Sequence, residues 1–291
     1  MSNTSRFIAT NFDETSWSFW GLSWLGSLVE LAHYMGNVVV VDCGLSAKQR
    51  NFLDGINVIR VPIEAKYDVR NLDIISTLSN FMHGKNAVLA YWDHTSYFQD
   101  NIADVFDLAK SKFVCCKEQN HCLAHGHSLE SFGIDDRVSN EPVFLYELLK
   151  HSARKHGALL SLDFFATNAK LLNIFDKFIE HCLYNDLINP MNNSALVCLN
   201  IFGNDFGFVS VQDSTWNKAI GNDLLWNHAY FQDGKKVKVM NIPSNMQYSA
   251  DSAKFHLRNK FPEVYSKWIS FYNGNPSFPK LVVKPSLKKT K

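Results

Sequence analysis

Two acids in this chain sit where chemistry is done in open α/β proteins. Asp42 closes the apolar run Val38–Val41, and Asp93 closes the apolar run Ala87–Trp92, with Thr95 two residues further on. Such runs are about the length of one buried strand. In a parallel sheet both acids lie on the rim outside the strands' carboxyl ends, where ligands bind. Carboxylates there can accept ribose hydroxyls, or hold a hard cation against a diphosphate, since Mg²⁺-type ions take oxygen ligands from one or two carboxylates plus phosphates. The competing reading is that Asp93 merely caps a following helix over Phe98–Ala109.

The elements that must position these acids follow from periodicity. Strands are expected at 7–10, 38–41, 57–61, 87–92 and 113–116, and helices at 17–35, 47–53 and 70–82. Asp13 to Ser16 offer N-caps for the first helix, and Gly36-Asn37 ends it. The run Val38–Val41 has no polar alternation, as expected of a strand covered on both faces. Strands alternating with helices at this spacing imply βαβ units and a largely parallel sheet. Further on, helices are expected at 143–155, 168–182, 222–231 and 264–272, with strands at 158–165 and 236–242. No repeat or linker divides the chain, so a single domain over 1–283 with an elaborated C-terminal half is expected.

Composition narrows the function classes. The net charge of +1 gives no global pull toward nucleic acid. No run of about 20 apolar residues is present, so no transmembrane helix is expected. The N-terminus lacks the regions of a signal peptide, and the six Cys are expected as free thiols in a reducing cytoplasm. The basic tail 284–291 is expected to be a solvated end; the sharper alternative is peripheral contact with an anionic membrane face.

Several motifs are missing. There is no Gly-x-Gly-x-x-Gly after the first strand, no P-loop and no Gly-x-Ser-x-Gly elbow. Cys115, Cys116, His121, Cys122, His125 and His127 do not have zinc-finger or ribbon spacing, and strand neighbours Cys115 and Cys116 should point to opposite faces. His125 and His127 could instead lie on a loop over the substrate. Trp17, Trp20 and Trp24 recur at helical spacing and read as core.

The order of these features resembles the GT-A glycosyltransferases, most closely the glycogenin and lipopolysaccharide galactosyltransferase-like branch. Ala9-Thr-Asn-Phe-Asp13 resembles that fold's base-binding edge, and Asp42-Cys-Gly-Leu-Ser46 its turn after the second strand. Tyr91-Trp-Asp-His-Thr95 resembles the D-x-D strand end, and Ser161 to Asn168 the acceptor-side segment. Gly221 to Asn227, Met240 to Asn245 and Lys254-Phe-His256 are similar to the later motifs. The resemblance spans roughly 6–262.

It implies a single Rossmann-like, mixed but mostly parallel sheet flanked by helices, with a nucleotide-binding half at about 6–116 and an acceptor half at about 117–283. It implies a sugar moved from a nucleotide-diphosphate donor, UDP-sugar favoured, to a saccharide or glycolipid acceptor, and makes Trp216, Trp226 and Tyr248 of the acceptor half candidates for stacking on a sugar ring. Thr10, Asn11, Asp42, Tyr91, Trp92, Asp93, Lys254 and Arg258 would bind the donor; Asp93, Thr95 and His256 would hold Mn²⁺ or Mg²⁺. The sequence departs from the pattern where Thr95 replaces the second acid, where Asn222-Asp223 replaces Asp-Gln, and where Ala166 replaces a Gly.

Sugar transfer has an oxocarbenium-like transition state and a diphosphate leaving group, whose growing charge needs a cation, basic side chains or helix N-termini. Lys254, Arg258 and Lys260 flank His256 and could serve, or could be an ordinary basic surface. An inverting reaction needs a carboxylate to take the acceptor's proton. Asp223 is the first candidate and Asp163 the second; an N-cap and a buried core acid are the respective alternatives. A GT-A domain that binds a nucleotide or a protein without catalysis is the rival reading. A sugar nucleotidyltransferase is a further rival, disfavoured because Asn11-Phe-Asp-Glu offers no Gly-rich loop.

Overall fold

The computed structural model describes residues 4–117, 142–156, 159–188, 190, 194–205, 207, 209–212, 214–216, 218–219, 231–232, 235–241 and 262–274. Among these, the strands in chain order are β1 (Ser5–Phe12), β2 (Asn37–Asp42), β3 (Ile59–Pro62), β4 (Ala87–Trp92), β5 (Ser96–Phe98), β6 (Phe113–Lys117), β7 (Leu160–Asn168), β8 (Val209–Gln212), β9 (Lys218–Ala219), β10 (Phe231–Gln232), β11 (Lys235–Lys236) and β12 (Val239–Asn241). Seven form the main sheet, in the order β3-β2-β1-β4-β7-β6-β8. All run parallel except β7, which pairs antiparallel with both β4 and β6. The sheet is therefore mixed and mostly parallel, as expected. A small second sheet has the order β5-β12-β9.

The helices are α1 (Glu14–Ser16), α2 (Leu22–Glu30), α3 (Ala47–Gly55), α4 (Arg70–Met82), α5 (Val105–Ala109), α6 (Pro142–His156), α7 (Ala169–Tyr184), α8 (Ser194–Asp205) and α9 (Pro262–Tyr272). Period-two alternation divides the strand side chains between two cores. Ile8, Val40, Ala90 and Trp92 face one, which Trp24, Phe106 and Trp268 complete from α2, α5 and α9. Ala9, Val39, Leu89 and Tyr91 face the other, under Leu72, Ile75, Phe175 and Phe202 of α4, α7 and α8. Cys115 and Cys116 are buried in opposite cores, so the adjacent pair cannot serve one zinc ion. Cys43, Cys115, Cys116, Cys182 and Cys198 are free thiols. The other members of the Cys/His group, 121, 122, 125 and 127, lie outside the described residues.

Three element expectations are corrected. The first helix starts on an Asp13–Ser16 capping box, passes through a π-helical turn at Trp17–Gly21, and ends at Glu30 rather than at residue 35. A Cβ at Gly21 would lie 2.5 Å from the Trp17 ring, so the indole occupies the space that a side chain would need. Trp17, Trp20 and Trp24 are all core, as their spacing indicates. The expected helix over 98–109 is a strand followed by a short helix: β5 pairs antiparallel with β12, and only Val105–Ala109 is helical. Asp93 consequently caps no helix. Thirdly, the expected strand over 236–242 divides into β11, paired with β10, and β12. The apolar stretch at 195–201 belongs to α8. The expected helix at 222–231 falls largely outside the described residues. No helix among the described residues is long and apolar enough to cross a membrane.

Candidate active site

Strand order places a switch point between β1 and β4. β2 and β3 follow β1 to one side, while β4 lies on the other. Chains leaving β1 and β4 diverge there and open a crevice at their carboxyl ends. Asn11 is the penultimate residue of β1, on the same face as Ala9, and Asp93 follows β4. Because β7 runs the opposite way, its early residue Asp163 reaches the same rim; the Asp93 N–H donates to the Asp163 carbonyl at 2.8 Å. The first turn of α4 closes the crevice from one side. Together they enclose a cavity of about 270 Å³. Its polar lining is Asn11, Arg70, Asn71, Tyr91, Asp93, His94 and Asp163; its apolar lining is Ile74, Ile75, Leu162 and Phe165.

The polar groups form one network. Tyr91 stacks on Phe165 at 5.0 Å, which aims its hydroxyl along the rim. That hydroxyl is 2.6 Å from the Asn11 side chain and 3.4 Å from Asp93 Oδ1. The Asn11 carboxamide is satisfied when its nitrogen donates to Tyr91 Oη at 2.6 Å and Asp93 Oδ1 at 3.3 Å, and its oxygen accepts from Arg70 Nη2 at 3.1 Å. In the opposite orientation its oxygen faces the Asp93 carboxylate and its nitrogen the guanidinium, so the first is preferred. Tyr91 then donates to Asp93. Arg70 also pairs with Asp13, itself held in the capping box.

Asp93 is half-buried. His94 Nδ1 lies 2.9 Å from its Oδ1, and the Thr95 hydroxyl donates to its Oδ2 at 3.0 Å. Burial pushes the Asp93 carboxyl up, but the His94 imidazole and hydrogen bonds from His94 and Thr95 outweigh it, holding the group below the usual carboxylate range. Burial, together with the Asp93 and Asp163 charges, drives the Tyr91 phenol well above its ordinary value, so it remains an O–H donor. Burial also works against the Arg70 charge, yet the hydrogen bond to Asp13 carries its pKa upward.

Of the residues singled out from sequence, Asn11, Tyr91, Asp93 and Asp163 come together in this cavity. Four others do not line it. Asp42 accepts from the N–H groups of Gly44 (3.1 Å) and Leu45 (2.8 Å), from Arg50 Nε (2.9 Å) and from Arg60 Nη1 (3.3 Å). Burial opposes its charge, but these donors hold its pKa down, and the carboxylate is spent on the β2–α3 turn. Trp92 points into the opposite core, and its indole N–H donates to the Trp216 carbonyl at 3.2 Å. Thr10 is fully buried on the β1 face away from Asn11. Thr95 is buried beneath Asp93, with its hydroxyl turned from the cavity. Trp216, considered as a sugar platform, is buried against Phe164 with Lys238 over its ring. Asp223, Lys254, His256, Arg258, Trp226 and Tyr248 lie outside the described residues.

Arg70, Asn71 and His94 are functional candidates that the sequence reading passes over. Arg70 had a signal: it is a cation at the first position of a helix, where the macrodipole disfavours it. The N-cap, Val69, supplies no side-chain acceptor or donor either. A residue that fails both local rules has a tertiary purpose, and here it is Asp13, Asn11 and the cavity.

With strand order, the single reversed strand and the rim cavity established, the architecture is that of a GT-A fold. Solved structures share it: the galactosyltransferase LgtC in complex with donor and acceptor sugar analogues is 12% identical, with 94% of this chain and 98% of that chain covered at a TM-score of 0.56. An active-site glutamine-to-glutamate mutant of LgtC matches at 12% identity over 94% of this chain and 98% of its own, with a TM-score of 0.55. No family model matches the chain, and no curated protein is similar to it in sequence.

Proposed function

We propose that this chain is a glycosyltransferase, taking a nucleotide-diphosphate sugar, UDP-sugar favoured, and passing the sugar to a saccharide or lipid-linked acceptor. The observation that carries this reading is the composition of the rim cavity: two carboxylates, two carboxamides and one guanidinium at the switch point of a GT-A sheet. Carboxylates and carboxamides pair with neighbouring sugar hydroxyls, and a guanidinium adds forked donors. The cavity lies just below the roughly 300–1,000 Å³ of pockets that enclose whole drug-sized ligands. It suits one ring of the donor, with the remainder lying along the rim.

In this reading Asp93, Arg70 and Asn11 orient the ring. If the anomeric centre is inverted, Asp223 or Asp163 would accept the acceptor's proton; that Asp163 lines the cavity supports the second. Similarity to LgtC favours a nucleotide sugar and a saccharide as partners. The test is saturation-transfer NMR with a panel of nucleotide sugars, followed by turnover with saccharide acceptors and assignment of the product anomer. Absence of binding by every nucleotide sugar would refute the reading. The burial of Thr95 favours a second one, a GT-A domain that binds a nucleotide without catalysis; binding of donor with no transfer across the acceptor panel would select it.

A further inference from the structure

The GT-A resemblance implies a divalent cation at this strand end, held by Asp93, Thr95 and His256. The donor set around Asp93 does not suit one. Mg²⁺ demands near-ideal octahedral oxygen coordination at about 2.0–2.1 Å, usually with one or two carboxylates. Here Oδ1 of Asp93 already faces His94 Nδ1 at 2.9 Å, Tyr91 Oη at 3.4 Å and the Asn11 carboxamide nitrogen at 3.3 Å. Its Oδ2 accepts from the Thr95 hydroxyl. Thr95 is 2% exposed, so it offers the cavity no lone pair in place of a second carboxylate. Among the described residues no three His, Cys, Asp or Glu side chains converge as a cation's ligands, His256 lying outside them.

What backs Thr95 is Asn241, which ends β12 and is 146 residues away in sequence. Pairing of β12 with β5 sets Asn241 opposite Ser96 and brings its side-chain oxygen position within 3.2 Å of Thr95 Oγ1. Asn241 is 5% exposed, and its nitrogen has no partner as oriented. A hydroxyl carries one proton, and the carboxylate is the stronger acceptor for it. Turning the Asn241 carboxamide over lets its nitrogen donate to Thr95. The buried donor is then satisfied, and the result is a relay from Asn241 N–H through Thr95 O–H to Asp93 Oδ2. A buried carbonyl oxygen left over is tolerated better than a buried N–H.

We propose that Asn241 and Thr95 are a neutral relay standing in for a second carboxylate, so that Asp93 is a built-in acceptor for sugar hydroxyls and holds no divalent cation. Asn241 is then a positioning residue, acting on Asp93 through Thr95. The sugar part of this inference rests on the glycosyltransferase reading; the cation part does not.

The test is thermal melting of the full chain with millimolar Mn²⁺ or EDTA, with a nucleoside diphosphate present and absent. In wild type the two melting temperatures agree within about 1 °C, since a ligand that does not bind adds no stability. Thr95→Asp sets two carboxylates side by side and gains a Mn²⁺-dependent rise of several degrees; if that variant fails to fold, wild type and Asp93→Asn decide the cation by themselves. A wild-type rise with Mn²⁺ that disappears in Asp93→Asn overturns the proposal, whereas one that survives Asp93→Asn belongs to another site and leaves it standing. For the positioning role, nucleotide-sugar affinity in EDTA falls about tenfold in Asn241→Ala, the order of one charge-linked hydrogen bond. Adding Thr95→Val costs no more, because both act on one path. Fully additive losses overturn the relay. If no nucleotide sugar binds the wild type, the glycosyltransferase reading fails while the melting experiment still decides the cation.

Discussion

Replacing Arg70 with Met separates the two things this side chain does. The substitution keeps the aliphatic stem and removes only the guanidinium. Three changes in stability follow. The ion pair with Asp13 is lost, but the two side chains are 40% and 28% exposed, so screening limits it to about 1 kcal/mol. The Asn11 oxygen loses its 3.1 Å donor, worth about 0.5–1.5 kcal/mol. Removing a cation from the N-terminus of α4 returns about 0.3–1 kcal/mol. The net loss is about 0.5–2 kcal/mol, a melting-temperature drop of about 1–4 °C for a chain of this size. Donor binding should suffer more, because a charged hydrogen bond to ligand in a cavity contributes about 1.5–3 kcal/mol, or about 10–100-fold in Kd. Differential scanning fluorimetry and a nucleotide-sugar titration on the same preparation measure both. Arg70→Lys should recover the stability but not the affinity, since an ammonium cannot reproduce the fork. Unchanged donor affinity in folded Arg70→Met would remove Arg70 from the site and leave the cavity argument without the only guanidinium that lines it among the described residues.

Asp42→Asn should destabilise the fold by about 1–3 kcal/mol, because it weakens acceptance from Arg50 and Arg60 at a 6% exposed residue while solvent and Asp54 still serve those guanidiniums, yet leave donor affinity unchanged; chemical denaturation and the same titration check both halves. Trp216→Ala should cost about 3–5 kcal/mol as a core truncation, read by urea unfolding. Gly21→Ala pushes a Cβ against the Trp17 ring and should lower the melting temperature by the equivalent of about 1–3 kcal/mol. Asp176 concerns pH. It is 5% exposed on α7, and burial raises its pKa above 3.8 despite the attraction of Lys66 and Lys177 and the nearby Ser79 side chain. A raised folded-state value means that the group's contribution is fully favourable below the unfolded value and is lost as pH rises through the folded one. Asp176→Asn should therefore raise the melting temperature at pH 7, with the advantage over wild type vanishing near pH 3.8; an equal difference at both pH values would refute the assignment.

Local pattern carried most of the fold. The run Ala87–Trp92 reads as a buried strand, and α4 occupies the expected span, because hydrophobic period and chain length decide such elements before any neighbour is present. The residues 98–109 misled because a strand of three residues, β5, is too short to show a period and exists only by pairing with β12, far along the chain. The tryptophans Trp92 and Trp216 show the same divide: aromatic type is visible in sequence, but which face of a strand or turn it occupies depends on register.

By itself, the sequence determined a βαβ sheet with acids delivered to one rim, because apolar runs ending in a carboxylate specify both the strand and its polar tip. The tertiary structure alone decided which acid does what. Asp42 is consumed by two arginines and two backbone amides around the β2–α3 turn, whereas Asp93 meets Asn11, Tyr91, His94 and Asp163 in an open cavity. The two were equivalent as strand-end acids; they became different only when partners distant in sequence either tied the carboxylate into a turn or set it, with its own donors, on the wall of a cavity. Thr95 follows the same rule. Its identity is local, but its role as the middle of a relay belongs to Asn241, which only strand pairing brings within reach.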